Sequence, residues 1–78
     1  MKLYVKTWCP WCVQAIQWLK ARGIHHECLD VENDREALRR MQEISGQSLT
    51  PTLELPDGRV LADFDTGQLE RFLEASSS

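Results

Sequence analysis

Seventy-eight residues are enough for one small domain and leave no room for a second, so the chain reads as a single domain over 1–78. Its 42% hydrophobic and 27% charged residues describe an ordinary globular protein, and a net charge of −3 gives no electrostatic reason to expect nucleic acid. No apolar run approaches a membrane span, no signal-like apolar core opens the chain, and three cysteines are too few for a secreted disulfide framework, which points to a reducing cytoplasm.

Residues Lys2 to Lys6 alternate polar and apolar, with Leu3 and Val5 on one face, and predict a first strand. Trp8-Cys9-Pro10-Trp11-Cys12 follows, joining that strand to an amphipathic helix from Pro10 to Arg22 that carries Val13, Ile16 and Leu19 and stops at Gly23. Two thiols separated by two residues at a strand-to-helix junction read as a redox dithiol. The spacing puts Cys9 at the helix N-cap, where unpaired amides and the positive end of the helix dipole favour an anion. Pro10 falls at the first helical position, where its missing N–H costs nothing. Cys12, one turn along, faces back toward Cys9. In such a site a thiol pKa falls from about 8.5 to roughly 3.5–7.5. Cys9 is therefore the expected nucleophile and Cys12 the resolving thiol.

A second strand is expected from Ile24 to Val31, strongest over Cys28-Leu29-Asp30-Val31, with Cys28 as a small buried apolar residue. Asn33 is the expected cap of a second helix, with Glu36 reaching back as in a capping box, an apolar stripe of Ala37, Leu38, Met41 and Ile44, and Gly46 at its end. Thr50-Pro51-Thr52 opens the second half. Leu53-Glu54-Leu55 and Val60-Leu61-Ala62 flank Pro56-Asp57-Gly58-Arg59, which reads as a β-hairpin. Asp65, with Gln68 three residues on, is positioned to cap a last helix carrying Leu69, Phe72 and Leu73, and the tail Ser76-Ser77-Ser78 is expected to fray. The order βαβαββα implies a parallel first pair, a hairpin-derived antiparallel pair, and one four-stranded mixed sheet with helices on both faces.

This order, with Cys-x-x-Cys after the first strand and Thr-Pro before the third, resembles the thioredoxin-like α/β fold in its smallest form, and more closely the small bacterial glutaredoxins. The resemblance rests on Lys6-Thr7-Trp8-Cys9-Pro10-Trp11-Cys12, Asp30-Val31, Ser45-Gly46-Gln47-Ser48-Leu49-Thr50-Pro51 and Ala62-Asp63-Phe64-Asp65-Thr66. It implies a glutathione-dependent thiol–disulfide oxidoreductase acting on glutathionylated or disulfide-bearing proteins, with glutathione as reductant; nothing in the sequence demands more than a monomer. Pro51 should be cis, setting the Thr50 backbone opposite the dithiol to pair with a bound cysteinyl peptide. Lys6 and Gln47 match positions that hold the glycine carboxylate of glutathione. Asp65 and Thr66 match those that hold its γ-glutamyl end, and Trp11 stands where the family has Tyr beside the groove.

The chain departs from the family where Gly-Gly becomes Ala62-Asp63, adding bulk and negative charge beside an anionic tripeptide, and where Val becomes Thr50. Those departures match a neighbouring class reduced by thioredoxin reductase, which is the alternative within the same chemistry. An iron–sulfur carrier is a further alternative, opposed in the family by Pro10 and the second cysteine. No metal is expected. A tetrahedral zinc would need two more ligands beside Cys9 and Cys12, and the adjacent His25 and His26 point to opposite sides of a strand. Trp8 and Trp11 read as groove wall, Trp18 as packing, His25 and His26 as surface, and the charges from Asp34 to Glu43 as a solvated helix face.

Overall fold

A computed structural model describes residues 1–76. The elements run β1 (Lys2–Val5), α1 (Pro10–Ala21), β2 (Glu27–Asp30), α2 (Arg35–Ser45), β3 (Thr52–Glu54), β4 (Val60–Ala62) and α3 (Thr66–Ser76). The strands form one sheet in the order β2-β1-β3-β4. β1 pairs parallel with β2, antiparallel with β3, and β3 pairs antiparallel with β4. This is the mixed sheet expected from one crossover and one hairpin.

Alternation along β1 sorts the core onto two faces. Leu3 and Val5 pack with Cys12, Ala15 and Leu19 of α1, Leu53 of β3, Phe64 in the turn before α3, and Leu69 of α3. Tyr4 points the other way and packs with Val31 and with Ala37 and Met41 of α2. The sheet is thus covered by α1 and α3 on one face and α2 on the other. Central β1 is buried on both sides, and its C-terminal end runs directly into the dithiol turn.

Four expectations need correction or refinement. The cap of α2 is Asp34, not Asn33. The Asp34 carboxylate accepts the Glu36 and Ala37 amides at 3.0 and 3.2 Å, whereas Asn33 donates to Asp30 Oδ2 at 2.6 Å and shapes the turn before the helix. Cys28 is exposed rather than buried, because β2 is an edge strand whose first half is left uncovered. β2 is also shorter than the apolar run from Ile24 suggests, since residues 24–26 form its lead-in. The C-terminal expectation divides: Ser76 belongs to α3, and Ser77 and Ser78 lie outside the described residues.

Other local signals are realised as read. Gly46 ends α2 at φ 70°, a left-handed conformation that a Cβ disfavours. Asp65 and Gln68 form a reciprocal capping box, Gln68 N–H to Asp65 Oδ1 at 2.8 Å and Asp65 N–H to Gln68 Oε1 at 2.9 Å. The sheet also carries a polar lock. Buried Tyr4 donates its hydroxyl to Glu54 Oε1 at 2.8 Å, and Arg40 of α2 meets Glu54 Oε2 at 2.8 Å. Burial and the Glu54 carboxylate push the Tyr4 phenol up to about 12.

Candidate active site

The chain leaves β1 and turns at once, the Cys9 N–H donating to the Lys6 carbonyl at 3.2 Å. Cys9 adopts an extended N-cap conformation and Pro10 opens the helix. The Cys9 carbonyl then accepts the Cys12 and Val13 amides, both at 3.1 Å, which winds the first turn of α1. This turn brings the two thiols together at the edge of the α1–α3 core. Cys9 is 6% exposed and Cys12 is 1% exposed, so the first is the thiol within reach of a partner and the second sits behind it.

The protein sets the two thiols apart chemically. Burial works against a Cys9 thiolate. The Cys12 amide and thiol, the Thr50 side chain and the Trp11 amide outweigh it and hold the Cys9 pKa below the ordinary thiol value. At Cys12 burial dominates, and the neighbouring Cys9 anion adds to it, so that thiol is pushed up despite help from Thr50 and the Lys6 backbone. Of the two, Cys9 is the thiol the surroundings favour as the thiolate. Cys9 makes no side-chain capping hydrogen bond to α1, and the Cys12 amide is shared with the Cys9 carbonyl.

Across from the dithiol lies the 49–52 loop. The Thr50–Pro51 peptide is cis, and the Cys9 thiol lies 3.8 Å from the Thr50 carbonyl oxygen, to which it donates. Thr50 and Pro51 are buried. The loop is tied down from behind. Thr52 Oγ1 donates to the Leu49 carbonyl at 2.9 Å, and the Asp63 N–H donates to the Pro51 carbonyl at 2.9 Å.

The other expected site residues fall around this groove with different degrees of freedom. Half-buried Lys6 donates its Nζ to the Ser48 carbonyl at 3.4 Å and stands 5.7 Å from the centroid of the Trp8 ring. Gln47 is engaged inside its own loop. Its amide donates to Ser45 Oγ at 2.9 Å and Thr52 Oγ1 at 3.1 Å, and its Oε1 accepts the Leu49 amide. Trp11, Asp63, Phe64, Asp65 and Gln68 line a cleft of about 180 Å³ beside the dithiol, with Thr66 half-buried at the start of α3. Trp8 and Trp11 are both exposed, and Trp11 lines the cleft. Trp18 packs against the core, with the Arg22 guanidinium 3.8 Å from its ring centroid. Of the histidines, His25 is exposed and His26 half-buried, with Nδ1 2.9 Å from the Ile24 carbonyl oxygen.

Two features escaped the reading of the sequence. Glu32 accepts the Trp8 indole N–H at 2.7 Å, a contact across 24 residues that no local pattern signals. Asp63 adopts φ 51° in place of a glycine, which an aspartate tolerates better than most side chains. Its position in a Gly-Gly slot was the available signal.

Comparison with known proteins agrees with this geometry. The glutaredoxin family model matches residues 1–61. A glutaredoxin of Neisseria meningitidis serogroup B is 30% identical over 70 residues, covering 88% of this chain and 82% of the relative. An uncharacterized glutaredoxin-like 8.6 kDa protein in the rubredoxin operon of Clostridium pasteurianum is 27% identical over 74 residues, covering 95% of this chain and 97% of the relative. Among solved structures, the thioredoxin-like protein BC3987 is 31% identical with a TM-score of 0.81, covering 90% of this chain and 94% of that one. A glutaredoxin from Archaeoglobus fulgidus shares the fold at a TM-score of 0.79 and 18% identity, covering 92% of this chain and 83% of that one. With its dithiol, its cis Thr-Pro loop and a family match over most of its length, this chain belongs to the glutaredoxin family.

Proposed function

We propose that this chain is a dithiol glutaredoxin, a glutathione-dependent reductase of glutathione mixed disulfides and protein disulfides in a reducing cytoplasm, working as a single monomeric domain. The observation that carries the reading is the Cys9–Cys12 pair at the start of α1, with the Cys9 thiol 3.8 Å from the Thr50 carbonyl of the cis Thr50–Pro51 loop. The Cys9 thiolate attacks one sulfur of the substrate disulfide. A Cys9–substrate disulfide forms, the substrate S–S bond breaks, and the other sulfur departs as a thiolate that takes a proton. Cys12 then loses its proton and attacks Cys9, releasing the second substrate thiol and leaving the Cys9–Cys12 disulfide. Alternatively, glutathione resolves the mixed disulfide directly. Two molecules of glutathione restore the dithiol and leave as glutathione disulfide.

Lys6, Gln47, Thr50, Pro51, Trp11, Asp65 and Thr66 are the residues assigned to glutathione. Asp65 and the amides at the start of α3 support a subsite for its γ-glutamyl end. Two observations favour a second reading for the reductant. The Gln47 amide is already committed within its loop, and Asp63 adds a carboxylate to the cleft. Both weaken the case for an anionic tripeptide and favour reduction of Cys9–Cys12 by a thioredoxin reductase.

Turnover of a small glutathione mixed disulfide, coupled to glutathione and glutathione reductase, separates the readings. The glutathione reading expects activity in wild type, loss in Cys9→Ser, and retention in Cys12→Ser. No turnover with glutathione, together with turnover driven by thioredoxin reductase, would replace it with the second.

A further inference from the structure

β1 and β2 are parallel neighbours with Val5 opposite Asp30, so the chain leaves both strands at the same edge of the sheet. One exit is the dithiol turn and the other is the turn into α2. The first is closed by the Cys9 N–H on the Lys6 carbonyl at 3.2 Å, which puts Thr7 and Trp8 at its two central positions. Trp8 is 66% exposed, so packing contributes little to holding this turn. A hydrogen bond holds it instead. The Trp8 indole N–H donates to Glu32 Oε2 at 2.7 Å, a short bond to a charged acceptor.

Glu32 is mounted on a firm base. Val31 before it is buried and donates its N–H to the Val5 carbonyl at 3.0 Å, joining the two strand ends. The Glu32 N–H donates to Asp30 Oδ1 at 2.9 Å, and the Asp34 N–H donates to the Asp30 carbonyl at 3.0 Å. On the other side of Trp8, Lys6 Nζ lies 5.7 Å from the ring centroid and donates to the Ser48 carbonyl at 3.4 Å. One chain of contacts thus runs from the turn before α2, through the dithiol turn, to the segment that leads into Thr50–Pro51.

A disulfide is attacked along the axis of its S–S bond, so the attacking sulfur must be held in direction as well as ionised. We propose that Glu32 is a positioning residue for the nucleophile: its bond to Trp8 fixes the Lys6–Cys9 turn so that the Cys9 sulfur faces the Thr50 carbonyl and the groove beside it. Glu32 acts through Trp8 and not on the reacting atoms. Its negative charge would oppose a thiolate, so what it supplies is the hydrogen-bond acceptor. This rests on the oxidoreductase reading above and adds to it a residue outside the thiols and the glutathione contacts.

The test is a single turnover of the pre-reduced full chain with bis(2-hydroxyethyl) disulfide, a small neutral oxidant, across pH. Cys9 and Cys12 lose two electrons and two protons, and the oxidant leaves as two molecules of 2-mercaptoethanol. The Cys9–Cys12 disulfide is read by peptide mass after acid quench. Above the Cys9 inflection, Glu32→Ala and Trp8→Phe should each react roughly fivefold slower, equivalent to about 1 kcal/mol, the net scale of one hydrogen bond. The double variant should be no slower than either single one, because both remove the same bond. Glu32→Gln, whose amide oxygen still accepts the indole N–H, should stay within about twofold of wild type. The inflection should not move in Trp8→Phe, which alters no charge: the thiolate forms as before and attacks less often. Trp8→Phe and Glu32→Gln decide the matter alone if Glu32→Ala does not fold. Four results would each overturn the proposal and leave the oxidoreductase reading intact: additive losses in the double variant, Glu32→Gln as slow as Glu32→Ala, wild-type rates in Trp8→Phe, or a Trp8→Phe inflection shifted enough to account for its rate. No Cys9–Cys12 disulfide from wild type would overturn both.

Discussion

Two helices on opposite faces of the sheet, α1 and α2, begin in opposite ways. At the start of α2 the Asp34 carboxylate takes two backbone amides, and the helix end is closed. At the start of α1 the N-cap is a cysteine that makes no full capping bond, and the amides of Trp11 and Cys12 act on its sulfur. A helix N-terminus favours negative charge in both places, a carboxylate at α2 and a thiolate at α1. The α2 face is fastened further by Tyr4, Glu54 and Arg40, while the α1 face ends in a groove. Chemistry sits where the helix end is left open.

Cys9→Ser breaks the contrast most severely. Serine is a good N-cap, so the fold should persist, and disulfide turnover should fall at least about a thousandfold. Circular dichroism alongside the turnover assay checks both halves of that statement.

On the closed face, Tyr4→Phe should lower unfolding free energy by about 1–3 kcal/mol in urea, because it leaves Glu54 with one donor fewer at the sheet. The pH dependence gives a second handle. The Tyr4 phenol titrates near 10 when unfolded and at about 12 in the fold. Its contribution is therefore fully present below about pH 10 and is lost as pH rises toward 12. Tyr4→Phe should remove that alkaline slope; an unchanged slope would mean another group carries it.

Asp34→Ala should cost about 1 kcal/mol of stability and leave kcat/KM for a disulfide substrate where it was. A loss of activity without a loss of stability would show that the α2 end has a functional role after all. The smallest effect belongs to Cys28, whose thiol is exposed and yet pushed up by the burial of its surroundings, Lys20 only partly compensating. Cys28→Ser should change turnover by less than about twofold and stability by less than about 0.5 kcal/mol.

The sequence conveyed the dithiol, the order of elements and the Asp65–Gln68 box because each is written in short-range spacing. It also placed Leu3 and Val5 on one face of β1. What it could not convey depends on position in the sheet or on distant partners. Asn33 and Asp34 are both good caps one residue apart, and only the helix start decides between them. The apolar run around Cys28 reads as buried because periodicity does not distinguish an edge strand from a central one. Gln47 looks free in sequence, but its amide closes a loop onto Thr52. The Tyr4–Glu54–Arg40 lock joins residues from β1, β3 and α2, and the Trp8–Glu32 bond joins two turns.

The claim that the open end of α1 creates the nucleophile is tested most directly by thiol alkylation of the reduced protein across pH. Cys9, Cys12 and Cys28 are resolved as separate peptides by mass spectrometry. Cys9 should react with an inflection below the ordinary thiol value of about 8.5, and Cys28 with one above it. At neutral pH Cys9 should therefore be labelled first despite being the more buried of the two. A Cys9 inflection at or above that of Cys28 would contradict the account, since the amides at the start of α1 would then confer nothing on the sulfur.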